Sequence, residues 1–221
     1  MEDLSDSHRK SFSNKVILAM GTLTPILAWI VIIISWYKNS WFNVFRDAYS
    51  DLGGPKASDA WIYNYGLISV GILLLIYGVL ITWKTSGKLG ITGGAYLSLA
   101  GIFLSLIGLF HSGTRPHTFI STWFFIQADI AIILLAANYR ASLLGKTLLI
   151  VSLLAFPIAI LVGATIGWPS TAILETYGII IIDFGIMSIP FLLGKENQYS
   201  RPSSLPLKAQ QSGSPHYSYI D

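Results

Sequence analysis

The chain has 221 residues, of which 53% are hydrophobic and only 11% are charged, against about 25% charged residues in an average soluble domain. This composition excludes a soluble globular protein and indicates a membrane protein. The net charge of +3 comes from Lys and Arg residues that mostly flank the apolar runs, so we interpret it as a topology signal and expect no binding of nucleic acid. The lack of Cys excludes disulfides, thiol catalysis and thiolate metal sites.

Six apolar runs follow one another along the chain, and each is long enough to cross about 30 Å of hydrocarbon as a helix. They predict spans at residues 15–37, 61–83, 89–110, 118–139, 147–168 and 171–194. The predicted fold is therefore all-α: a polytopic bundle of six transmembrane helices that forms one membrane domain over residues 15–194. We expect residues 1–14 to be a polar lead-in and residues 195–221 to be a mobile polar tail.

Lys and Arg are divided unequally between the two sides of the predicted bundle. Ten lie on the side that carries both termini, and four lie in the loops of the other side. Because cytoplasmic loops carry the excess of Lys and Arg, we expect both termini in the cytoplasm and a multi-pass protein of the plasma membrane. The first, third and fifth loops then face outward.

The first loop, residues 38–60, is the one long connection between the predicted spans. Aromatic and aliphatic residues recur in it at helical spacing: Trp41, Phe42, Phe45, Tyr49 and Leu52. Such a stripe predicts a short amphipathic helix that lies in the plane of the membrane interface.

Small residues form one face of the third span. They follow one another at spacings of three and four: Gly94, Ser98, Gly101, Ser105, Gly108 and Ser112. A face without bulk lets the backbone of a neighbouring helix come close, so it predicts packing inside the bundle, with a dimer interface as the alternative. We interpret Gly71 and Gly78 of the second span, and Gly163 and Gly167 of the fifth, in the same way.

Two carboxylates lie deep in predicted spans that contain no Lys or Arg. Asp129 follows His117 by twelve residues, and Asp183 follows Thr171 by twelve. At about 1.5 Å per residue, each lies about 18 Å below the outer face, near the midplane. Each acid also has a Thr one heptad earlier. Either the two acids share a proton or bind a cation, or each is neutral and joins helices four and six through hydrogen bonds.

A second group of polar residues gathers near the outer rim. It comprises Ser50, Asp51, Asn64, His111, Arg115, His117 and Glu175. His111 and His117 are candidate ligands of a divalent metal such as Zn, Fe or Mn, and Glu175 is the candidate catalytic base beside such a metal. Alternatively, Arg115 binds a lipid phosphate together with Ser50, Asp51 and Asn64 as further ligand contacts. In the third interpretation these side chains only anchor loops at the interface.

Three short segments carry a resemblance to a known family: YSDLGGP, WIYNYGLISVGILL and GLFHSGTRPHTFIS. In them the chain resembles the domain of unknown function 998 family, small prokaryotic and notably archaeal membrane proteins with six helices. The resemblance implies the same topology but no activity. It highlights Ser50, Asp51, Leu52, Gly53, Asn64, Gly71, His111 and His117. In architecture alone the chain is also similar to ceramidase-like zinc hydrolases, but it lacks their paired HxxxH near the C-terminus.

These observations favour an integral membrane protein with an outward-facing polar pocket between spans two, three, four and six. The pocket would bind a lipid headgroup or a metal, or the protein would be an accessory subunit of a membrane complex. One alternative is a metal-dependent hydrolase of membrane lipids, and another is a proton- or cation-coupled transporter that uses Asp129 and Asp183. The expected partners are membrane lipids and, in the accessory role, other membrane protein subunits. The sequence leaves open whether the protein is an enzyme.

Overall fold

The computed structural model describes the backbone of residues 2–199 and the side chains of residues 14–194. In this part of the chain every regular element is helical. The helices are α1 (Glu2–Lys38), α2 (Ala60–Lys84), α3 (Lys88–Leu109), α4 (His117–Asn138), α5 (Leu143–Thr165) and α6 (Thr171–Tyr199), with a 3-10 helix at Tyr49–Gly53 between α1 and α2. The predicted mobile tail lies outside the described residues from residue 200 onward.

The structure confirms the predicted six-span bundle. Each of the six α-helices contains a segment that is long and apolar enough to cross a membrane. The bounds of five segments agree with the prediction to within one or two residues, and α5 lies about four residues earlier than predicted. It begins early because the Ser142 side chain accepts a hydrogen bond from the amide of Gly145 (3.0 Å) and so caps the helix. The protein is therefore a multi-pass membrane protein whose helices contact lipid.

Helices α2 and α3 form the closest pair of the bundle, as the small-residue face predicts. A Cβ atom added at Gly78 would collide with the backbone of Ser98, and one added at Gly101 would collide with the amide of Leu75. The Ser105 hydroxyl also donates a hydrogen bond to the Ile68 carbonyl across the pair (3.2 Å). The small residues thus serve packing within the bundle, because they let the two backbones approach.

The prediction that Gly163 and Gly167 form a packing face at the end of the fifth span is wrong. Helix α5 ends at Thr165, and Gly167 lies in the following turn with a φ of +80°. Gly163 lies opposite the Trp168 ring at an ordinary contact distance of 3.6 Å for an added Cβ. Gly163 and Gly167 therefore do not form a GxxxG face on one helix. Gly167 instead supplies the left-handed conformation that ends the helix.

The loop between α1 and α2, here called loop one (residues 39–59), contains the predicted short helix in a different form. Residues 39–48 form turns, and only Tyr49–Gly53 is helical. Phe42, Tyr49 and Leu52 are buried in the core, whereas Phe45 is exposed. Most of the apolar stripe therefore packs onto the bundle, and it does not form the predicted amphipathic helix.

Buried side-chain hydrogen bonds explain the compact shape of loop one. The Asn39 side chain accepts a hydrogen bond from the Ser58 amide (2.7 Å) and donates one to the Ser58 carbonyl (3.2 Å), which joins the two ends of the loop. On its exposed side, a side-chain hydrogen bond from Arg46 and a backbone hydrogen bond from Asn43 lower the pKa of Asp47. Together these hydrogen bonds hold loop one in a compact shape.

Candidate ligand-binding cavity

A cavity of about 500 Å³ lies between α4, α5 and α6, next to loop one. Its polar lining comprises Ser50, Asp51, Ser112, His117, Thr118, Ser121, Thr122, Asp129, Thr171, Glu175 and Tyr177. Its apolar lining includes Phe125, Ala155, Phe156, Ala159, Leu174, Ile181 and Ile182. The cavity therefore combines a polar side with an apolar wall.

The loose packing of α5 creates this space. Among the six spans, α5 is the least buried. Its contribution to the lining includes Ala155 and Ala159, which are small, and Pro157 between them can donate no backbone hydrogen bond. The Tyr177 hydroxyl donates to the Ala155 carbonyl (3.0 Å), and the Trp168 indole donates to the Ala159 carbonyl (3.0 Å). These two bonds attach α5 at its small residues and leave room beside it.

Loop one is docked onto the first turns of α6, which positions the polar side of the cavity. The Tyr49 amide donates to Oε2 of Glu175 (2.7 Å), and the Ala172 amide donates to the Asp47 carbonyl (3.0 Å). The Ser170 hydroxyl donates to the Val44 carbonyl (2.5 Å). Because Ser50 and Asp51 directly follow Tyr49, this docking brings them to the cavity wall beside Glu175.

Asp51 and His117 present acceptor atoms near the same end of the cavity. The Ser112 hydroxyl donates to Oδ1 of Asp51 (2.8 Å), and the Ala48 amide donates to Oδ2 (3.0 Å). Nδ1 of His117 lies 2.8 Å from the Phe110 carbonyl oxygen. Since a carbonyl oxygen can only accept, this bond assigns the ring proton of neutral His117 to Nδ1 and leaves Nε2 as an acceptor.

Only some of the residues predicted for the outer rim line this cavity. Ser50, Asp51, His117 and Glu175 line it, and Asp129 lines it at greater depth. The remaining predicted residues lie elsewhere: His111, Arg115, Asn64 and Asp183. This larger cavity lies between α4, α5 and α6. A smaller cavity of about 80 Å³ occupies the predicted position, since residues of α2, α3, α4 and α6 line it together with α1, and it shares Ser50 and Glu175 with the larger one.

The three other rim residues have separate positions. Nδ1 of His111 lies 2.8 Å from the Ser112 carbonyl oxygen. The Asn64 amide donates to the Gly53 carbonyl (3.0 Å) and so attaches α2 to loop one. Arg115 is exposed in the loop between α3 and α4. Asn64 is thus a structural contact of loop one, and the Arg115 guanidinium does not line the cavity.

The described side chains contain no cluster of candidate metal ligands. Among residues 14–194, no group of three or more His, Asp or Glu side chains is close enough to hold a metal ion. Known zinc sites, structural or catalytic, use at least three protein ligands. His111 and His117 as metal ligands, and Glu175 as a base beside a metal, therefore stay predictions on which we base no proposal.

The two midplane acids line different cavities. Asp129 lines the cavity described above, whereas Asp183 lines a smaller one of about 80 Å³ together with Thr24 and Pro25 of α1. The Trp29 indole donates to Oδ2 of Asp183 (2.8 Å), so this acid joins α6 to α1 and not to α4. Glu175 lines both cavities. A site shared by Asp129 and Asp183 alone is not formed.

Sequence reasoning missed the aromatic part of the lining. Phe125, Phe156 and Tyr177 lie within apolar runs, where an aromatic residue is usually interpreted as core or lipid contact. Tyr177 carried one usable signal, because a Tyr hydroxyl inside an apolar run must find a hydrogen-bond partner. Nothing in the sequence indicated that this partner would be the Ala155 carbonyl of α5.

The model of a protein family described as "Protein of unknown function (DUF998)" matches residues 22–189, more than half of the chain. The chain belongs to this family. The DUF998 region spans α2 to α5, the C-terminal part of α1 and most of α6, so it contains the residues that line both cavities. It confirms the predicted family over a longer stretch than the three motifs. No curated protein and no solved structure matches the chain.

Proposed function

We propose that this DUF998 protein binds an amphiphilic molecule, a membrane lipid or a lipid-derived compound, in the cavity between α4, α5 and α6. The observation that carries the proposal is the two-sided lining. Asp51, His117 and Glu175 supply polar atoms, and Phe125, Phe156 and their aliphatic neighbours supply an apolar wall. A ligand with a polar head and an apolar body would be complementary to both sides.

The size and place of the cavity support this proposal. Its volume of about 500 Å³ falls within the range of roughly 300–1,000 Å³ that is typical of small-molecule sites. Its α5 side belongs to the span with the least burial inside the bundle. By the distribution of Lys and Arg, the loop-one end faces outward from the plasma membrane, and this orientation is part of the proposal.

The other candidate functions have weaker support. A metal-dependent hydrolase requires a ligand set that the described side chains do not form. A relay through Asp129 and Asp183 has no direct hydrogen bond between the two acids to support it among the described side chains, and the acids line different cavities that share Glu175. Docking of another membrane subunit remains an expectation from the sequence, and no feature of the described residues favours a particular partner surface.

A cavity-filling variant tests the proposal. Ala159 lines the cavity, so Ala159→Phe would occupy part of it, whereas Leu161→Phe adds bulk to a neighbouring residue of α5 that is 62% exposed. Native mass spectrometry of protein extracted from its own membrane is the measurement. We expect a lipid-sized adduct on the unchanged protein and on Leu161→Phe, and at least a several-fold lower occupancy on Ala159→Phe. Equal occupancy in all three proteins, or no adduct on the unchanged protein, would contradict the proposal.

A further inference from the structure

The charged residues that line the cavity all have one sign. Its carboxylates are Asp51, Asp129 and Glu175, and none of its lining residues, all within the described part of the chain, is Lys or Arg. The remaining polar side chains are hydroxyl groups and His117. A phosphate or carboxylate head would therefore meet three acids and no cationic side chain in a region of low dielectric constant, where like charges repel strongly.

Asp129 differs from the other acids in its hydrogen bonding. The carboxylate oxygens of Asp51 accept two hydrogen bonds, and Glu175 and Asp183 accept one each. Asp129 is only 5% exposed, and its Oδ1 has no hydrogen-bond partner among the described residues. A buried carboxylate oxygen without a donor is costly, so a donor from outside the protein would lower the free energy of this site.

From these two observations we propose that the ligand carries a protonated amine, which binds in the cavity against the carboxylate of Asp129. This inference rests on the proposed function and names the chemical class of its ligand. An ammonium group supplies both N–H donors for the Asp129 carboxylate, which lines the cavity, and the positive charge that the lining lacks. The rest of the ligand then contacts the apolar wall.

The depth and the aromatic lining of the cavity fit such a ligand. Asp129 lies twelve residues after His117 on α4, or about 18 Å along the helix, whereas Glu175 is about 6 Å from the start of α6. The acids therefore lie at two levels of an elongated cavity. Phe125, Phe156 and Tyr177 line the same space. Aromatic faces attract ammonium groups, so they favour a cation over a neutral head of the same size.

A series of three amphiphiles with the same chain and different heads tests the ligand class. Dodecylamine, dodecanol and dodecanoate are titrated into the purified full chain in a neutral detergent, and the dissociation constants are measured by isothermal titration calorimetry. We expect dodecylamine to bind about 10- to 100-fold more tightly than dodecanol, the effect of one charge-assisted hydrogen-bonded pair. Dodecanoate is expected to bind no more tightly than dodecanol.

Two variants show which carboxylate causes the preference for dodecylamine. Asp129→Asn removes the charge at the proposed site, and Asp183→Asn removes the matched acid that lines the smaller cavity. We expect the preference for dodecylamine to be lost in Asp129→Asn and kept in Asp183→Asn. If Asp129→Asn does not fold, the affinities of the three amphiphiles are compared on the unchanged protein and on Asp129→Glu, which keeps the charge. This comparison still decides whether the cavity prefers an amine.

The outcomes separate this inference from the function on which it rests. Equal affinity for the three amphiphiles, or an unchanged preference for dodecylamine in Asp129→Asn, would contradict an amine that binds at Asp129. Either result would leave the proposed amphiphile site in place. A failure of every amphiphile to bind would overturn the proposed function. Spermidine, an amine without an apolar tail, distinguishes the source: binding of spermidine alone, dependent on Asp129, would support the amine and replace the lipid by a water-soluble ligand.

Discussion

The Tyr77 side chain shows at the scale of a single residue how polar groups hold this bundle together. Tyr77 is fully buried in α2, and its hydroxyl donates a hydrogen bond to the Ile186 carbonyl of α6 (3.0 Å). Gly21 of α1 leaves room for it, because a Cβ there would lie 2.8 Å from the hydroxyl oxygen. One hydroxyl therefore lies where three helices meet.

We predict that Tyr77→Phe lowers the free energy of unfolding by about 0.6–1.5 kcal/mol, the usual range for one buried hydrogen bond in water or in a bilayer. The measurement is the midpoint of unfolding in detergent. Tyr65→Phe is the matched control, since Tyr65 lies on the same helix and is 66% exposed, and it is expected to change the midpoint little. Equal shifts in both variants would refute this role of the Tyr77 hydroxyl.

Acidic residues at the same depth can have different roles, and their hydrogen bonds reveal which. Asp183 accepts a hydrogen bond from Trp29, as expected for an acid that joins two helices. The Oδ1 atom of Asp129 has no hydrogen-bond partner in the described part of the chain, and the ligand that we propose would supply a donor to this carboxylate. Both acids follow the start of their predicted span at nearly the same spacing, so their positions in the sequence do not distinguish them. The difference arises from the direction in which each helix turns its acid.

At the scale of elements, glycines set the distance between α2 and α3. Substituting Ala for Gly inside a helix normally favours the helix by up to about 1 kcal/mol. At Gly101 the added Cβ would collide with the Leu75 amide and lie 2.7 Å from the Gly71 carbonyl. Both neighbours are backbone atoms, which cannot move without a shift of the whole helix.

We therefore predict that Gly101→Ala lowers the free energy of unfolding by about 1–3 kcal/mol, the usual cost of overpacking. Gly163→Ala, in the last turn of α5, meets only an ordinary contact at 3.6 Å from Trp168. It is expected to be neutral or mildly stabilising. Thermal unfolding of the two variants in one detergent compares them, and a Gly101→Ala protein as stable as Gly163→Ala would show that the pair is not closely packed.

At the scale of the whole molecule, the distribution of charge predicts the orientation of the bundle in the membrane. The loop-one end carries four Lys and Arg residues in its connections, and the other end carries ten. The positive-inside rule then predicts that loop one and the Arg115 segment face outward, away from the cytoplasm. The polar side of the proposed site would face the same way.

Cysteine labelling tests this orientation directly, because the chain contains no Cys of its own. Lys56→Cys and Arg115→Cys replace exposed residues at the loop-one end, and Arg140→Cys replaces an exposed residue at the opposite end. We expect a membrane-impermeant maleimide to label the first two variants in intact cells and the third only after permeabilisation. The reverse pattern would invert the proposed topology.

The elements of this fold could be predicted because each depends on neighbouring residues. About 20 apolar residues in a row suffice to define a span, and small residues spaced three and four apart suffice to define a close-packing face. The apolar stripe in loop one does form a buried face, since Phe42, Tyr49 and Leu52 are buried. Its interpretation as an amphipathic helix was wrong, because only Tyr49–Gly53 of the loop is helical and the preceding residues form turns.

The candidate site could be predicted only in part. Asp51, His117 and Glu175 were expected to lie together and do line one cavity. Arg115 and His111 are close to His117 in sequence, yet neither lines that cavity. The space itself depends on α5, which contributed no residue to the predicted pocket.

The amino-acid sequence by itself determined that the protein crosses the membrane six times, how deep each acid lies and which helix faces are free of bulk. These properties follow from composition and from the period of a single helix. Only the tertiary structure decided that Asp129 and Asp183 line separate cavities and that α5 stands apart from α4 and α6. The physical reason is that the rotation of a helix about its axis, and its distance from its neighbours, are set by contacts between residues far apart in the chain.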